Sequence, residues 1–315
     1  MTTAPLPLPR AADGRLRRAA TIASLSLAIL LCVAKLGAAT ATGSLAVLAS
    51  LVDSLTDLVA SAITFASVRI AQRPPDRGHR YGHGKAESLS ALAQGALVAG
   101  SAGFILLDGI QRLIVPRPIA ASQIGIAVMV LAIVLTLALV AFQRHVVRRT
   151  GSQAIAADSL HYRADLATNL AVIVSLLFAS RPGWSWVDPL IAVGIAGYLL
   201  SQALAIGRRA VDTLMDRELP RAERERVKEI VRGHPEVVDL HDLRTREAGN
   251  VRFIELHVEL DGRMPLRAVH DVTDALEREI GEAFPEVEVI IHPEPAGLAD
   301  DRLDHRIATA TRHTG

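Results

Sequence analysis

The chain has 315 residues, 50% of them apolar and 21% charged, with a formal net charge of +1 and a mean hydropathy of +0.31. The small net charge excludes a strongly basic surface of the kind that binds nucleic acid. The single cysteine, Cys32, excludes a disulfide framework, a CxxC redox pair and a thiolate zinc cluster, so any bound metal must take nitrogen and oxygen ligands. Apolar residues concentrate in 19–207, whereas 208–315 holds most of the acidic ones. That division excludes a plain globular enzyme and separates a membrane part from a soluble part.

About 20 apolar residues cross the roughly 30 Å hydrocarbon core as a helix. Six runs qualify, at about 18–41, 44–70, 88–113, 120–143, 152–179 and 185–207, preceded by a short segment over 1–17. Arg15, Arg17 and Arg18 before the first run leave a cleavable signal peptide as an alternative. The length of that run and the five that follow it argue against one. Basic residues set the orientation. Arg10, Arg15, Arg17 and Arg18, then Arg73, Arg77, Arg80 and Lys85, then Arg144, Arg148 and Arg149 all fall on one side. The other side has Arg117, Arg112 at a helix end, and Arg181. Both termini are therefore expected in the cytoplasm, with Trp184 and Trp186 at the interface before span six. Asp188-Pro189 reads as a helix cap followed by proline at the first helical position.

Ionisable groups inside such spans are expensive and need a reason. Span two contains Asp53 and Asp57, and span five contains His161 and Asp165. Each pair has i, i+4 spacing, which puts both side chains on one helix face. At 1.5 Å per residue both pairs fall near mid-membrane. Facing one another, the helices present three carboxylates and one imidazole, a four-ligand set suited to a divalent ion. A single aspartate of this kind also serves to cap a broken helix or to pair with a lysine such as Lys35. Asp108, Asp158 and Arg163 carry weaker signals; Asp158 and Arg163 are expected on other faces, paired or reaching the cytoplasmic edge.

The loop between spans two and three holds Asp76, His79, His83, Gly84 and Lys85. It is not a P-loop: five residues separate Gly78 from Gly84, and Ala86 stands where Ser or Thr belongs. His79-x-x-x-His83 lacks the glutamate of a zinc-protease helix. Asp76, His79 and His83 form either a second, exposed metal site or a solvated loop.

Beyond Arg209 the periods change. An amphipathic helix over 220–233 precedes strands over 237–246 and 251–261, joined by a turn at Ala248-Gly249-Asn250. A helix over 266–283 and a strand over 286–292 follow, and 298–315 is polar and expected to be loose. The order α-β-β-α-β gives a small two-layer α+β domain. His241, His257, His270 and His292, with Glu294, lie along it.

The segments Leu51–Asp57, Gly82–Glu87, Ala157–Asp165, His241–Thr245 and Val289–His292 resemble the cation diffusion facilitator family, most closely its bacterial ferrous-iron/zinc efflux pumps. The likeness covers roughly 15–296. It implies an α-helical membrane protein of six transmembrane helices with a C-terminal cytoplasmic ferredoxin-like α+β domain, assembled as a homodimer. By motif, Asp53, Asp57, His161 and Asp165 match the family's transport site. Asp76, His79 and His83 match its loop site, and His241, His257, His270 and His292 its cytoplasmic binuclear site. Glu294 stands where those relatives carry Asp. Lys85 and Asp216 match a charge pair near the dimer contact, and read otherwise as solvated surface charges. The implied domains are 18–207 in the membrane and 208–296 in the cytoplasm, followed by a flexible tail over 297–315.

The function expected is a secondary transporter, not an enzyme, in the cytoplasmic membrane. It exports Zn(II), or failing that Cd(II), Fe(II), Co(II) or Mn(II), in exchange for protons. It needs no organic cofactor and no nucleic acid; its partners are the metal, protons, the bilayer and a second copy of itself. The alternative is a membrane metal sensor or scaffold that binds the same ion without moving it.

Overall fold

The computed structural model describes residues 11–42, 45–114, 123–179, 186–298, 302–304 and 306, without every helical side chain; those of Asp53 and Asp188 are among the exceptions. Arg10, Arg117, Arg181 and Trp184 lie outside the described residues. The chain forms two compact units that divide between Leu214 and Met215.

Among the described residues, the first unit has six long helices: α1 (Ala11–Thr42), α2 (Leu45–Ala71), α3 (Lys85–Ile114), α4 (Gln123–Thr150), α5 (Gln153–Ala179) and α6 (Val187–Leu214). Among the described residues, five contain stretches long and apolar enough to cross a membrane: Asp13–Gly37, Ser54–Ala71, Lys85–Ile114, Val130–Thr150 and Pro189–Leu214. The described part of α5 carries Asp158, His161, Arg163 and Asp165 and falls below that mark. Large apolar side chains such as Phe104, Leu107, Leu131 and Val134 point outward, as lipid-facing positions do. The helices satisfy their own backbone groups, the condition for crossing hydrocarbon.

Small residues let α3 and α6 approach closely. A Cβ on Gly95 would meet the Ala203 carbonyl at 3.4 Å, and one on Gly109 would meet Val193 Cγ2 at 3.1 Å. Several helices run past the expected spans. α4 continues through its arginines to Gly151, which at φ +64 takes the left-handed turn and donates its N–H to the Val147 carbonyl at 2.9 Å. α6 starts at Val187, one residue before the expected cap. The Leu190 N–H donates to the Trp186 carbonyl at 3.2 Å, so Trp186 takes the cap position. Pro189 stays in the first turn, where its missing N–H has no intrahelical partner to lose.

The second unit follows the expected order: α7 (Arg221–Gly233), β1 (Asp239–Ala248), β2 (Val251–Leu260), α8 (Leu266–Ala283) and β3 (Val287–Pro295). Pro220 and Pro265 mark the starts of the two helices. Gly249, at φ +68, makes the hairpin turn. The sheet order is β1-β2-β3, antiparallel then parallel. On β2, Ile254, Leu256, Val258 and Leu260 pack with Val227 and Val231 of α7 and Val272, Leu276 and Ile280 of α8. Both helices thus cover one face of the sheet, and alternation sends His257 and Glu259 to the other. A bulge separates His241 from Arg244, and Asp242 sits there at φ +50.

Candidate metal-binding sites

Among the described residues, three groups of potential ligand side chains converge, each within 4.8 Å by its ligand atoms: Asp57, His161 and Asp165; Asp76, His79 and His83; His241, His257 and Glu294. The first links α2 to α5. His161 Nε2 lies 2.8 Å from Asp57 Oδ1 and 3.9 Å from Asp165 Oδ2. The i, i+4 spacing brings His161 and Asp165 onto one face, and Asp57 closes the group from the facing helix. His161 and Asp57 are buried, while Asp165 is half-buried. The fourth expected member, Asp53, lies on α2, but its side chain is outside the described residues.

Around this group is a polar network that the sequence pattern did not disclose. Asp158, 1% exposed, accepts hydrogen bonds on Oδ2 from Ser24 Oγ and Gln143 Nε2, both at 2.6 Å. Thr64 Oγ1 lies 3.5 Å from its Oδ1. Ser61 Oγ joins Ser24 Oγ at 3.0 Å and the Tyr162 hydroxyl at 2.9 Å. Asp158 therefore ties α5 to α1, α2 and α4 and is buried, where the sequence pointed to a partner in Arg163 or to the cytoplasmic edge. Arg163 instead lies over the Tyr198 ring and hydrogen-bonds its hydroxyl. Asp108 pairs with Arg112 at 2.7 Å, one turn on. A second buried contact joins Arg17 Nη1 to Glu87 Oε1 at 2.9 Å. Arg17 also donates to the Thr150 carbonyl at 2.7 Å, and Ser152 hydrogen-bonds the other Glu87 oxygen.

In the loop group Asp76 and His79 are exposed, whereas the His83 side chain is only 10% exposed. Asp76 is 3.4 Å from His79 Nδ1 and 3.3 Å from His83 Nε2. The N–H groups of Gly78 and His79 donate to Asp76 Oδ1 at 2.8 and 2.7 Å, an Asx turn that shapes the loop. The His79 N–H chiefly holds the Asp76 carboxyl below its ordinary value.

In the second unit, register builds the site. His241 pairs with His257 across β1 and β2, and His257 with His292 across β2 and β3, giving one row of three histidines. Glu294, two residues along β3 from His292, reaches back along that row. Its Oε1 is 2.9 Å from His257 Nδ1 and 3.4 Å from His292 Nε2, and its Oε2 is 3.3 Å from His241 Nε2. The carboxylate faces histidines with both oxygens, a donor set of imidazole and carboxylate that fits a divalent transition metal. His270, exposed on α8, lies 3.5 Å from Asp274 and outside the converging group. Lys85 donates to the Leu214 carbonyl at 3.3 Å, and Asp216 lies 3.6 Å from Arg246.

Comparison with known proteins agrees with this division. The family model described as the cation efflux transmembrane domain matches residues 21–215, well over half of the chain. The chain belongs to the cation diffusion facilitator family. The model of the cation efflux protein cytoplasmic domain matches 219–296. The chain is 46% identical over 285 residues to the cation-efflux pump FieF of Klebsiella pneumoniae, covering 90% of this chain and 95% of that one. It is 47% identical over 276 residues to the FieF of Shewanella oneidensis, covering 88% and 93%. Among solved structures, the metal-bound C-terminal domain of the CzcD transporter from Thermotoga maritima is 28% identical, with a TM-score of 0.25, over 26% of this chain and 100% of that domain. The cytosolic domain of another cation diffusion facilitator protein is 30% identical with a TM-score of 0.24, over 25% of this chain and 100% of its own. This cation diffusion facilitator is thus a multi-pass membrane transporter for metal cations, with a cytoplasmic α+β domain.

Proposed function

We propose that the protein exports a divalent transition-metal ion from the cytoplasm in exchange for protons, across the cytoplasmic membrane, as a homodimer with both termini inside. Zinc is the first choice of cargo, with Cd(II), Fe(II), Co(II) and Mn(II) behind it. The observation that carries this reading is the buried convergence of Asp57, His161 and Asp165 on facing helices of the membrane unit. Asp53, one helical turn from Asp57, is the fourth ligand proposed. Carboxylate and imidazole bind metal only when deprotonated. One site therefore holds either the ion or protons, and loading both costs free energy. If the site opens alternately to the two sides, inward proton movement drives the ion outward.

The ligand set of one nitrogen and three oxygens is intermediate in softness and supports Zn(II) over a purely oxygen-seeking ion. The Asp76–His79–His83 group is proposed as a second metal site. The His241–His257–Glu294 group, with His292 beside it, is proposed as a regulatory site whose loading draws two cytoplasmic domains together. His270 is proposed as a further ligand there.

The test is metal flux into proteoliposomes with an imposed pH gradient, run across the five metals. Flux should follow the gradient, reverse when it is reversed, and be highest for zinc. A chain that binds zinc and tightens as a dimer but moves no ion under any gradient is a sensor or scaffold, and the transport reading fails.

A further inference from the structure

Glu259 lies on the histidine-bearing face of β2 yet is only 7% exposed. Two cations or potential cations compete for one of its oxygens. His241 Nδ1 lies 3.4 Å from Glu259 Oε1, and Arg302 Nη2 lies 2.5 Å from that same oxygen. Arg302 belongs to the tail, which the sequence left as loose. Here the tail is fastened at residues next to it. The Leu303 and Asp304 N–H groups donate to Asp242 Oδ2 and Oδ1 at 2.8 and 2.9 Å, and the Asp242 N–H donates to Asp304 Oδ2 at 3.1 Å. Burial raises the Asp242 carboxyl, but the donors on Asp304 and Leu303 outweigh it and hold the group below its ordinary value. The contact uses the β-bulge after His241, where Asp242 takes its left-handed conformation.

His241 presents its two nitrogens to two different carboxylates. Nε2 faces Glu294 and the metal-ligand group, while Nδ1 faces Glu259. A histidine that ligates a metal through one nitrogen commonly donates its other N–H to a carboxylate, which fixes the tautomer and strengthens the ligand. Glu259 lies within reach of that position, 3.4 Å from Nδ1. A metal on His241 makes the Nδ1–H a stronger donor to Glu259, and its charge repels a nearby guanidinium. Arg302 makes the opposite demand on the same carboxylate oxygen.

We propose that Glu259 is the positioning carboxylate of the cytoplasmic metal site, and that the tail segment Arg302–Asp304 is a strap that competes with metal for it through Arg302. Metal loading then loosens the strap, and the strap in turn sets the concentration at which the site fills. The inference rests on metal occupying the His241–His257–Glu294 group.

The test uses the full chain in detergent with the other two groups silenced by Asp57→Ala, His79→Ala and His83→Ala, titrated with zinc alone. Glu259→Gln should weaken binding by about 10- to 100-fold. Arg302→Ala should strengthen it on the order of fivefold. Arg302→Ala added to Glu259→Gln should change binding much less than it does alone, since the negative charge the two groups compete for is gone. Without any substitution in the strap, zinc should also speed amide exchange at Leu303 and Asp304. A role for Arg302 in holding the domain together would shift both single variants in the same direction. That outcome, or unchanged affinity in Arg302→Ala, overturns the proposal. No zinc binding at all in the silenced parent overturns the site reading itself, and the strap with it.

Discussion

Glu294 shows how far one carboxylate on β3 can reach. It approaches His257 and His292 with one oxygen and His241 with the other. The members of the candidate groups were legible because ionisable residues at i, i+4 inside apolar runs, and histidines on an alternating strand, are improbable without a chemical reason. What holds those ligands was not. Asp158, Glu259 and Asp242 sit among ordinary residues in the sequence, and their roles depend on partners far away in the chain. One titration can be foreseen at this scale. Burial lifts the Glu277 carboxyl on α8 above its ordinary value of 4.5, with neighbouring Asp274 adding to the rise and His270 opposing it. The folded value exceeds the unfolded one, so folding favours the protonated acid. That contribution is present below about pH 4.5 and is lost as pH rises through the folded value. Glu277→Gln should therefore flatten the pH dependence of thermal unfolding above pH 4.5 in the full chain. An unchanged profile would contradict the assignment.

Among elements, apolar runs located the helices, because a span must satisfy its backbone internally and so reads as one continuous stretch. Their ends were less legible. α4 passes through Arg144, Arg148 and Arg149 to Gly151, since nothing in those residues breaks a helix once it leaves hydrocarbon. Arg17, counted on sequence as an orienting surface charge, is 4% exposed and paired with Glu87, 2% exposed. This pair joins the start of α1 to the start of α3. Ser152, held by the same glutamate, caps the entry to α5 through the Ile155 N–H at 3.3 Å. Removing one member of a buried pair leaves the other charge uncompensated, at a typical cost of about 3–5 kcal/mol. Glu87→Ala should therefore lower the thermal midpoint in detergent markedly, while Arg17→Met with Glu87→Leu should recover most of the loss. Equal midpoints for Glu87→Ala and the unaltered chain would show that the pair contributes little.

At the scale of the whole molecule, the two units divide the chemistry. The membrane unit places two carboxylates and an imidazole between α2 and α5, inside a bundle whose outer face is apolar. The cytoplasmic unit builds its site from sheet register, with the helices on the opposite face. The order α-β-β-α-β was legible from changes of period, but the alignment of three histidines in one row came from strand pairing, which no local pattern fixes. The central claim is that the α2–α5 group carries the ion. The most direct measurement is zinc flux driven by a pH gradient in proteoliposomes containing Asp57→Ala or Asp165→Ala chains, each verified as folded and dimeric. Both variants should lose flux while zinc binding at the cytoplasmic group persists; gradient-driven flux at the unaltered rate in both would contradict the account.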